Sequence, residues 1–508
     1  MMPILYLLFS AHALFLQQLP TGTQLNVRLS TTIGSFSSKP GMGVSGVVIA
    51  PVIKDGRVLI PAGSIVNGKI RSVTRVGYGV RHERAALGLQ FDQVVISGSE
   101  PISLPAKLAE VDNARERVTS AGVVQGIRST GSLSYRVSGY VRTALLWDVH
   151  AEMAEWAIKS LVVEMPEPEI YYPAGTELTL KLTAPMAVAA EPESPEGSGT
   201  LSEDDITDLR SLATSMPRRT RDPENKRLSD ITNVLLIGSR EEITRAFRTA
   251  GWSEAAPATI RARIGCIRAA AEVHGFRSAP MTNLLLNGKD PDMSWQKGLN
   301  DVAKRHHIRI WKQPGMWYGQ ELWLAAATRD VDFAYMRPGR TFTHEIAPIV
   351  DHERDKVTND LVFTACARPL DFTARPDMPR FSHNGTGDPI ATDTRVAILQ
   401  MNSCAGEAVA VENPDEEPTP DHGALSNVAR GGKLQRFVRR EIMITRNDLL
   451  RTNVYYRSFE ASRWVVNYVR YRRRKSSEMR VLLADYGPAG SSPAGVPHPP
   501  SLAVKTLR

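Results

Sequence analysis

The stretch LPTGTQLNVRLSTTI at residues 19–33 returns, nearly rewritten, as YPAGTELTLKLTAPM at 172–186, and a shorter echo, IPAGSIVNGKI, occupies 60–70. Each copy reads as a turn running into a strand. Pro20 and Pro173 suit a turn's second position and Gly22 or Gly175 its exit. Leu25, Val27 and Leu29 then alternate with Asn26 and Arg28, as Leu178, Leu180 and Leu182 do with Thr179 and Lys181. A period of two means one face buried and one wet. VVIAPV, LGLQFDQVVI and ISLPAKL add short strands between the copies, separated by the turn-like KDGR and SGSE. Closely spaced strands with this punctuation predict an antiparallel β-rich barrel or sandwich over 18–187, with the twin lines as its entering and closing strands. One helix is expected to interrupt it, because Leu146, Val149, Met153 and Trp156 recur at helical spacing.

At 508 residues the chain exceeds a single core. AEPESPEGSGT has nothing to bury, so 188–214 reads as a linker with a short helix starting after Ser202. A second, α+β domain follows over 215–402. It opens on Val234–Ile237, a continuous apolar run of the kind a strand covered on both faces requires. Ser239 and Glu242 have capping-box spacing, Ile243, Phe247 and Ala250 form a stripe, and Gly251 can end the helix. A second helix carries Ile260, Ile264, Ile267 and Ala271 on one side. Strands are expected at TNLLLNG, HHIRIWK, LWLAAATRD, VDFAYM, FTHEI and TRVAILQM, and a helix near 352–363. Residues 403–432 read as a second linker, 433–480 as a basic helical segment and 481–508 as disordered.

Net charge is +8, but residues 431–480 alone carry +10, so the basicity belongs to the carboxy-terminal segment. Three cysteines exclude a disulfide framework and a four-thiolate metal site, and Cys266 is expected as a buried, inert thiol. The apolar start, Pro3 to Leu16, is shorter than a membrane span and contains Ala11-His12-Ala13, an A-x-A cleavage pattern. Residues 1–17 are therefore expected to be a signal peptide without the usual positive n-region. The alternative is a buried amino-terminal segment of a cytoplasmic protein.

Two families are visible in these motifs. NVLLIGSREEITRAFRTAGW, RHHIRIWK, LWLAAATRDV, THEIAPIVDHERD and NGTGDPIATDTRVAIL, in that order, make 215–402 resemble the LssY carboxy-terminal domain family, named after a component of a bacterial type I secretion locus. The resemblance implies a domain and an envelope context rather than a reaction. Lipid-phosphatase modules can be fused to such domains, but the Pro-Ser-Gly-His motif they need does not occur here. GVVIAPVIKDGRVLIPAGSIVNGKI makes the amino-terminal domain similar to the β-rich domains of conjugation-type secretion-channel proteins.

Few motifs carry chemistry. GMGVSG satisfies the dinucleotide-binding spacing, but a strand follows it where a helix is needed. LIGSR could seat an anion on a helix N-terminus, and simple capping explains it as well. The strongest candidate is the polar concentration at 305–354: Arg305, His306, His307, Arg309, Trp311, Asp330, His344, Asp351, His352, Glu353 and Arg354. Arg309, Asp330, His344, Asp351 and Glu353 are the catalytic candidates, and His306, His307, His344 and Asp351 the metal candidates, since imidazoles and carboxylates recruit divalent ions. On a strand His306 and His307 face opposite ways, so only one can join a given cluster. Ordinary ion pairs among these residues are the reading preferred here, with a functional pocket as the alternative, and no cofactor is expected unless a divalent metal binds there. In the tail, Trp464, Tyr468, Arg470, Tyr471, Arg472, Arg473 and Arg474 form a basic, aromatic surface suited to an anionic membrane or a partner; export would remove nucleic acid from its reach.

The expectation is thus an exported periplasmic or cell-envelope protein acting as a non-catalytic scaffold, with envelope or secretion-system partners. Its rival is a metal-assisted hydrolase using the His/Asp cluster.

Overall fold

A computed structural model describes residues 16–128, 130, 132, 166–189, 201–404 and 432–451, less short gaps at 56, 79–81, 97–98, 225, 258 and 335–342, plus scattered positions between 455 and 473. The chain is rich in β-structure, with two large sheets and five described helices. The expected helix around Leu146–Trp156, the start up to residue 15, the linkers at 190–200 and 405–431 and the end of the chain lie outside the described residues.

The twin lines are neighbours. Strand Gln24–Leu29 pairs antiparallel with Glu177–Leu182, setting Leu25 opposite Leu180 and Val27 opposite Leu178. All six predicted leucine and valine positions are buried in one core. The repetition has a geometric reason. In each copy the proline is the first residue of the turn, not the second, and Gly22 and Gly175 take the positive φ that its third position demands. Thr23 and Thr176 close their turns with backbone N–H bonds to Pro20 and Pro173, and their hydroxyls donate to the same carbonyls. The Gly22 N–H then donates to the Leu182 carbonyl at 2.9 Å, and that of Gly175 to the Leu29 carbonyl at 2.7 Å. Each turn therefore seals the far end of the other copy's strand. The echo repeats this design, with Gly63 donating to Val48 and Ser64 closing on Pro61.

Eight antiparallel strands run in the order Ala106–Val111, Glu177–Leu182, Gln24–Leu29, Gly43–Val48, Ile65–Thr74, Ala86–Val95, Val123–Gln125 and Arg117–Val118, with Ile102–Ser103 added beside Ala86–Val95. Bulges in the Ile65–Thr74/Ala86–Val95 pair help curl the sheet. Its ends nearly meet. Gly122, with φ +77°, lies so close to the Leu108 backbone that a Cβ would stand 3.3 Å from it, and Lys107 reaches the Ser120 carbonyl.

The second sheet is mixed. Its order is Ser253–Glu254, Met293–Gly298, Arg305–Trp317, Gln320–Ala334, Val234–Ile237, Arg395–Met401 and Ala367–Ala374, with Thr343–Ile346 beside Gln320–Ala334. Val234–Ile237 pairs parallel with Arg395–Met401, and both its faces are covered, as its apolar run requires. Val234 and Leu236 pack with helices Arg240–Thr249 and Asp351–Phe363 on one face. Leu235 and Ile237 pack with helix Glu203–Ser215 on the other, so that helix buries Leu209 and Ala213 instead of lying free in a connector. The capping box at Ser239 and Glu242 is formed.

Several sequence expectations need amending. TNLLLNG makes only isolated bridges, and its Leu284 and Leu286 pack with Leu235, Ile237 and helix Glu203–Ser215. LWLAAATRD and VDFAYM merge into the single strand Gln320–Ala334, and Ala367–Ala374 was not foreseen. Cys366 and Cys404 form a disulfide, so three cysteines exclude a framework but not one bridge. Cys266 is half-buried.

Candidate functional site

Strand Arg305–Trp317 divides the polar cluster. Alternation sends His306 to the face of helix Asp351–Phe363, and Arg305, His307, Arg309 and Trp311 to the other face.

On the first face the two sheets meet. His306 donates from Nδ1 to Glu353 and from Nε2 to Asp112, both at 2.6 Å. Asp112 follows strand Ala106–Val111 of the first sheet. Burial alone would lower the His306 pKa, but Asp112 and Glu353 outweigh it and raise it to about 9. The ring is thus an imidazolium at neutral pH, with both N–H groups engaged. Asp112 is held below the usual carboxylate range: burial opposes this, and His306 and Arg329 prevail. Arg329, opposite His306 on the neighbouring strand, completes this half with contacts of 2.9 Å to both Glu110 and Asp112.

A second half adjoins it. Glu177 receives Arg28 at 2.8 Å, Lys297 at 2.6 Å and Lys356 at 2.9 Å. Asp360 receives Lys297 at 2.9 Å, Lys356 at 2.6 Å and the Trp252 indole N–H at 2.9 Å. Burial would raise the Glu177 pKa, yet Lys297, Lys356 and Arg28 hold it well below normal. Burial depresses that of Lys297 despite its two carboxylates. Five cations (Arg28, Lys297, His306, Arg329, Lys356) thus face five carboxylates (Glu110, Asp112, Glu177, Glu353, Asp360) across the joint, and charge closes. Hydrogen bonds from Asn113 to the Lys297 carbonyl, Lys304 to the Ala114 carbonyl and Asn300 to Glu116 extend the contact.

On the opposite face Asp330 is the hub. Arg305 reaches its Oδ2 at 2.8 Å, His307 its Oδ1 at 2.7 Å, and His344 lies 3.5 Å from Oδ2. Burial would raise the Asp330 pKa, but His307, His344 and Arg305 hold it well below normal. Arg309 bonds Asp230 at 3.1 Å and the Thr282 carbonyl, and the Trp311 indole donates to the Lys289 carbonyl. His307, His344 and Asp330 would be the ligands of any divalent ion here. The guanidinium of Arg305 already holds the carboxylate such an ion would need, and among the described residues no three acidic, His or Cys side chains are arranged to hold a metal.

The remaining candidates separate from both groups. Asp351 starts its helix and accepts from the Thr392 hydroxyl at 2.8 Å and the Asp393 N–H at 2.6 Å. Burial raises its pKa to about 6 against the pull of Arg354. Arg354 pairs with Asp393 and Asp355, and His352 is exposed. Of the tail candidates, Arg470 and Arg473 are exposed at helical positions; Trp464, Tyr468, Tyr471, Arg472 and Arg474 lie outside the described residues. Helix Lys433–Arg451 is anchored by Arg439, which is buried against Glu167 at 2.6 Å and Glu169 at 3.2 Å.

Sequence reasoning missed the first-sheet half of the network. Arg28 and Glu177 occupy the face that alternation assigns to water. The available signal was that the outward face of one twin line carries Arg28 and that of the other Glu177, which stand directly opposite in register.

Residues 213–396, which include most of the second sheet, match the LssY C-terminus family. No curated protein matches the chain. Among solved structures, ComB10 of the Com type IV secretion system of Helicobacter pylori is similar at 13% identity over 33% of this chain and 88% of its own, with a TM-score of 0.19, too low to establish a shared fold.

Proposed function

We propose that the chain is an exported, non-catalytic scaffold of the bacterial cell envelope, tied to secretion or transport. In this reading a barrel-like amino-terminal domain at 18–187 and an α+β domain at 215–402 act as one platform, and the basic tail meets an anionic membrane or a partner. One observation carries it: His306 and Glu353, offered by the sequence as site residues, are used up joining the two sheets, with both His306 nitrogens occupied by carboxylates. A rigid joint serves a binding platform, whereas a general base needs a free nitrogen facing substrate. The match to the LssY C-terminus family supports a secretion context, and the Cys366–Cys404 bridge supports an oxidising compartment.

Fractionation of native-host cells tests the reading. The expected product is an envelope-associated chain that has lost its amino-terminal apolar segment, with Cys366 and Cys404 oxidised. A soluble cytoplasmic chain that retains Met1 and has both thiols free would overturn it. The convergence of His307 and His344 on Asp330 favours a second reading, a metal-assisted hydrolase.

A further inference from the structure

Helix Ile260–Glu272 is turned inside out relative to an ordinary surface helix. Its inner face is made of small residues: Ala269 is fully buried, and Gly265 lies so close to Phe276 that a Cβ would stand 3.0 Å from the ring. Its outer face carries Ile260, Ile264 and Ile267, which are 80%, 59% and 71% exposed. With about 100° per residue these three share an arc of roughly 60°. Arg261 and Arg268 lie about 70–90° to one side of that arc's centre and Arg263 about 70° to the other, and all three are exposed. The helix has one carboxylate, Glu272, which is buried and bound by Arg268 at 2.7 Å and His274 at 2.9 Å. Glu272 therefore offsets Arg268, and no other acidic group on this helix offsets the outward charge of Arg261 and Arg263.

We infer that this helix lies flat on an anionic lipid surface, with the isoleucines among the acyl chains and the arginines on lipid phosphates. Burying an apolar stripe is the usual reason a short helix is stable in a fold. Here the stripe points away from the protein, and the gain must come from what covers it. The flanking charge selects that occupant. Arginines along both long edges of a narrow apolar stripe match a plane of phosphates above hydrocarbon, where each guanidinium can extend its stem over the apolar layer and bind phosphate with two N–H groups. A protein groove would need acidic rims on both sides of the same stripe. The site is separate from the basic tail and uses none of its residues.

The full chain with Ile264→Trp, mixed with vesicles of phosphatidylglycerol and phosphatidylcholine brominated in their acyl chains, gives the direct test. The added emission should be quenched by the bromines, and emission that stays unquenched while vesicles bind overturns the inference. In a second arm, the charge-reversed tail variant Arg470→Glu/Arg473→Glu isolates the helix. Adding Ile264→Asp and Ile267→Asp to it should lower vesicle partitioning by about tenfold or more, as expected for losing two buried isoleucines. Adding Arg261→Gln and Arg263→Gln instead should weaken binding to anionic vesicles about fivefold per charge and leave binding to pure phosphatidylcholine unchanged. These positions are exposed, so circular dichroism should show an unchanged fold. If the aspartates leave partitioning unchanged, or instead abolish self-association of the chain, the stripe belongs to a protein contact and the inference fails.

Discussion

His306 and His307 are consecutive on one strand and meet opposite environments. His306 lies between two sheets that the chain builds from distant segments, and it is clamped by one carboxylate from each side. His307 faces the interior of a single layer and shares Asp330 with Arg305 and His344, all from the second sheet. The first histidine belongs to a joint and the second to a locally assembled cluster. A run of polar residues in a sequence can therefore be two unrelated devices separated by the thickness of a strand.

The largest effect expected from breaking that contrast comes from Asp360. Its replacement by Ala leaves Lys297, Lys356 and the Trp252 N–H without their shared acceptor. Chemical denaturation should show a loss of roughly 3–5 kcal/mol, as for other half-removed buried pairs. A loss below about 1 kcal/mol would mean that water screens the joint and the two sheets are not welded by it. The exposed pair Lys312–Glu321 is the control, where Glu321→Ala should cost less than about 1 kcal/mol.

Next comes the pH dependence of His306. Its folded pKa, about 9, lies above the unfolded value of 6.5. Its contribution is therefore fully present below pH 6.5 and is lost as pH rises through 9. The shift corresponds to stability on the order of 3 kcal/mol. Unfolding measured from pH 6 to pH 9.5 should show this decline in the wild type, and His306→Gln should flatten it. A decline that persists in His306→Gln would assign the titration to another group.

The smallest effect is expected at His344, which is partly exposed and lies 3.5 Å from Asp330. His344→Ala should cost about 1 kcal/mol, and metal analysis of the purified chain should find no stoichiometric ion in either protein. A bound metal that disappears in His344→Ala, with melting otherwise unchanged, would turn the local cluster into a metal centre and favour the hydrolase reading.

What the sequence disclosed follows the reach of its signals. Period-two alternation identified Leu25, Val27, Leu29, Leu178, Leu180 and Leu182 as one core, because burial on a strand's face is a local pattern. The apolar run Val234–Ile237 likewise disclosed a strand covered on both faces. The joint was not legible, since Lys297 and Lys356 reach Glu177, and His306 reaches Asp112, only after two separate sheets exist. Alternation separated His306 from His307, but it could not supply Asp112 as a partner from 194 residues away. The isoleucine stripe of helix Ile260–Glu272 had the period of a core face, and only the structure turns it outward.

The pairing of the twin lines also dictates when the first sheet can be finished. Strand Gln24–Leu29 has Gly43–Val48 on one side almost as soon as it is synthesised, but its other neighbour is Glu177–Leu182. Until that segment leaves the ribosome, Leu25 lacks Leu180, Val27 has Val48 but not Leu178, and the Leu29 carbonyl lacks the Gly175 N–H. Closing so long a loop is slow, because its entropy must be spent before the contacts form. A nascent chain built this way stays unlocked over its first 170 or so residues.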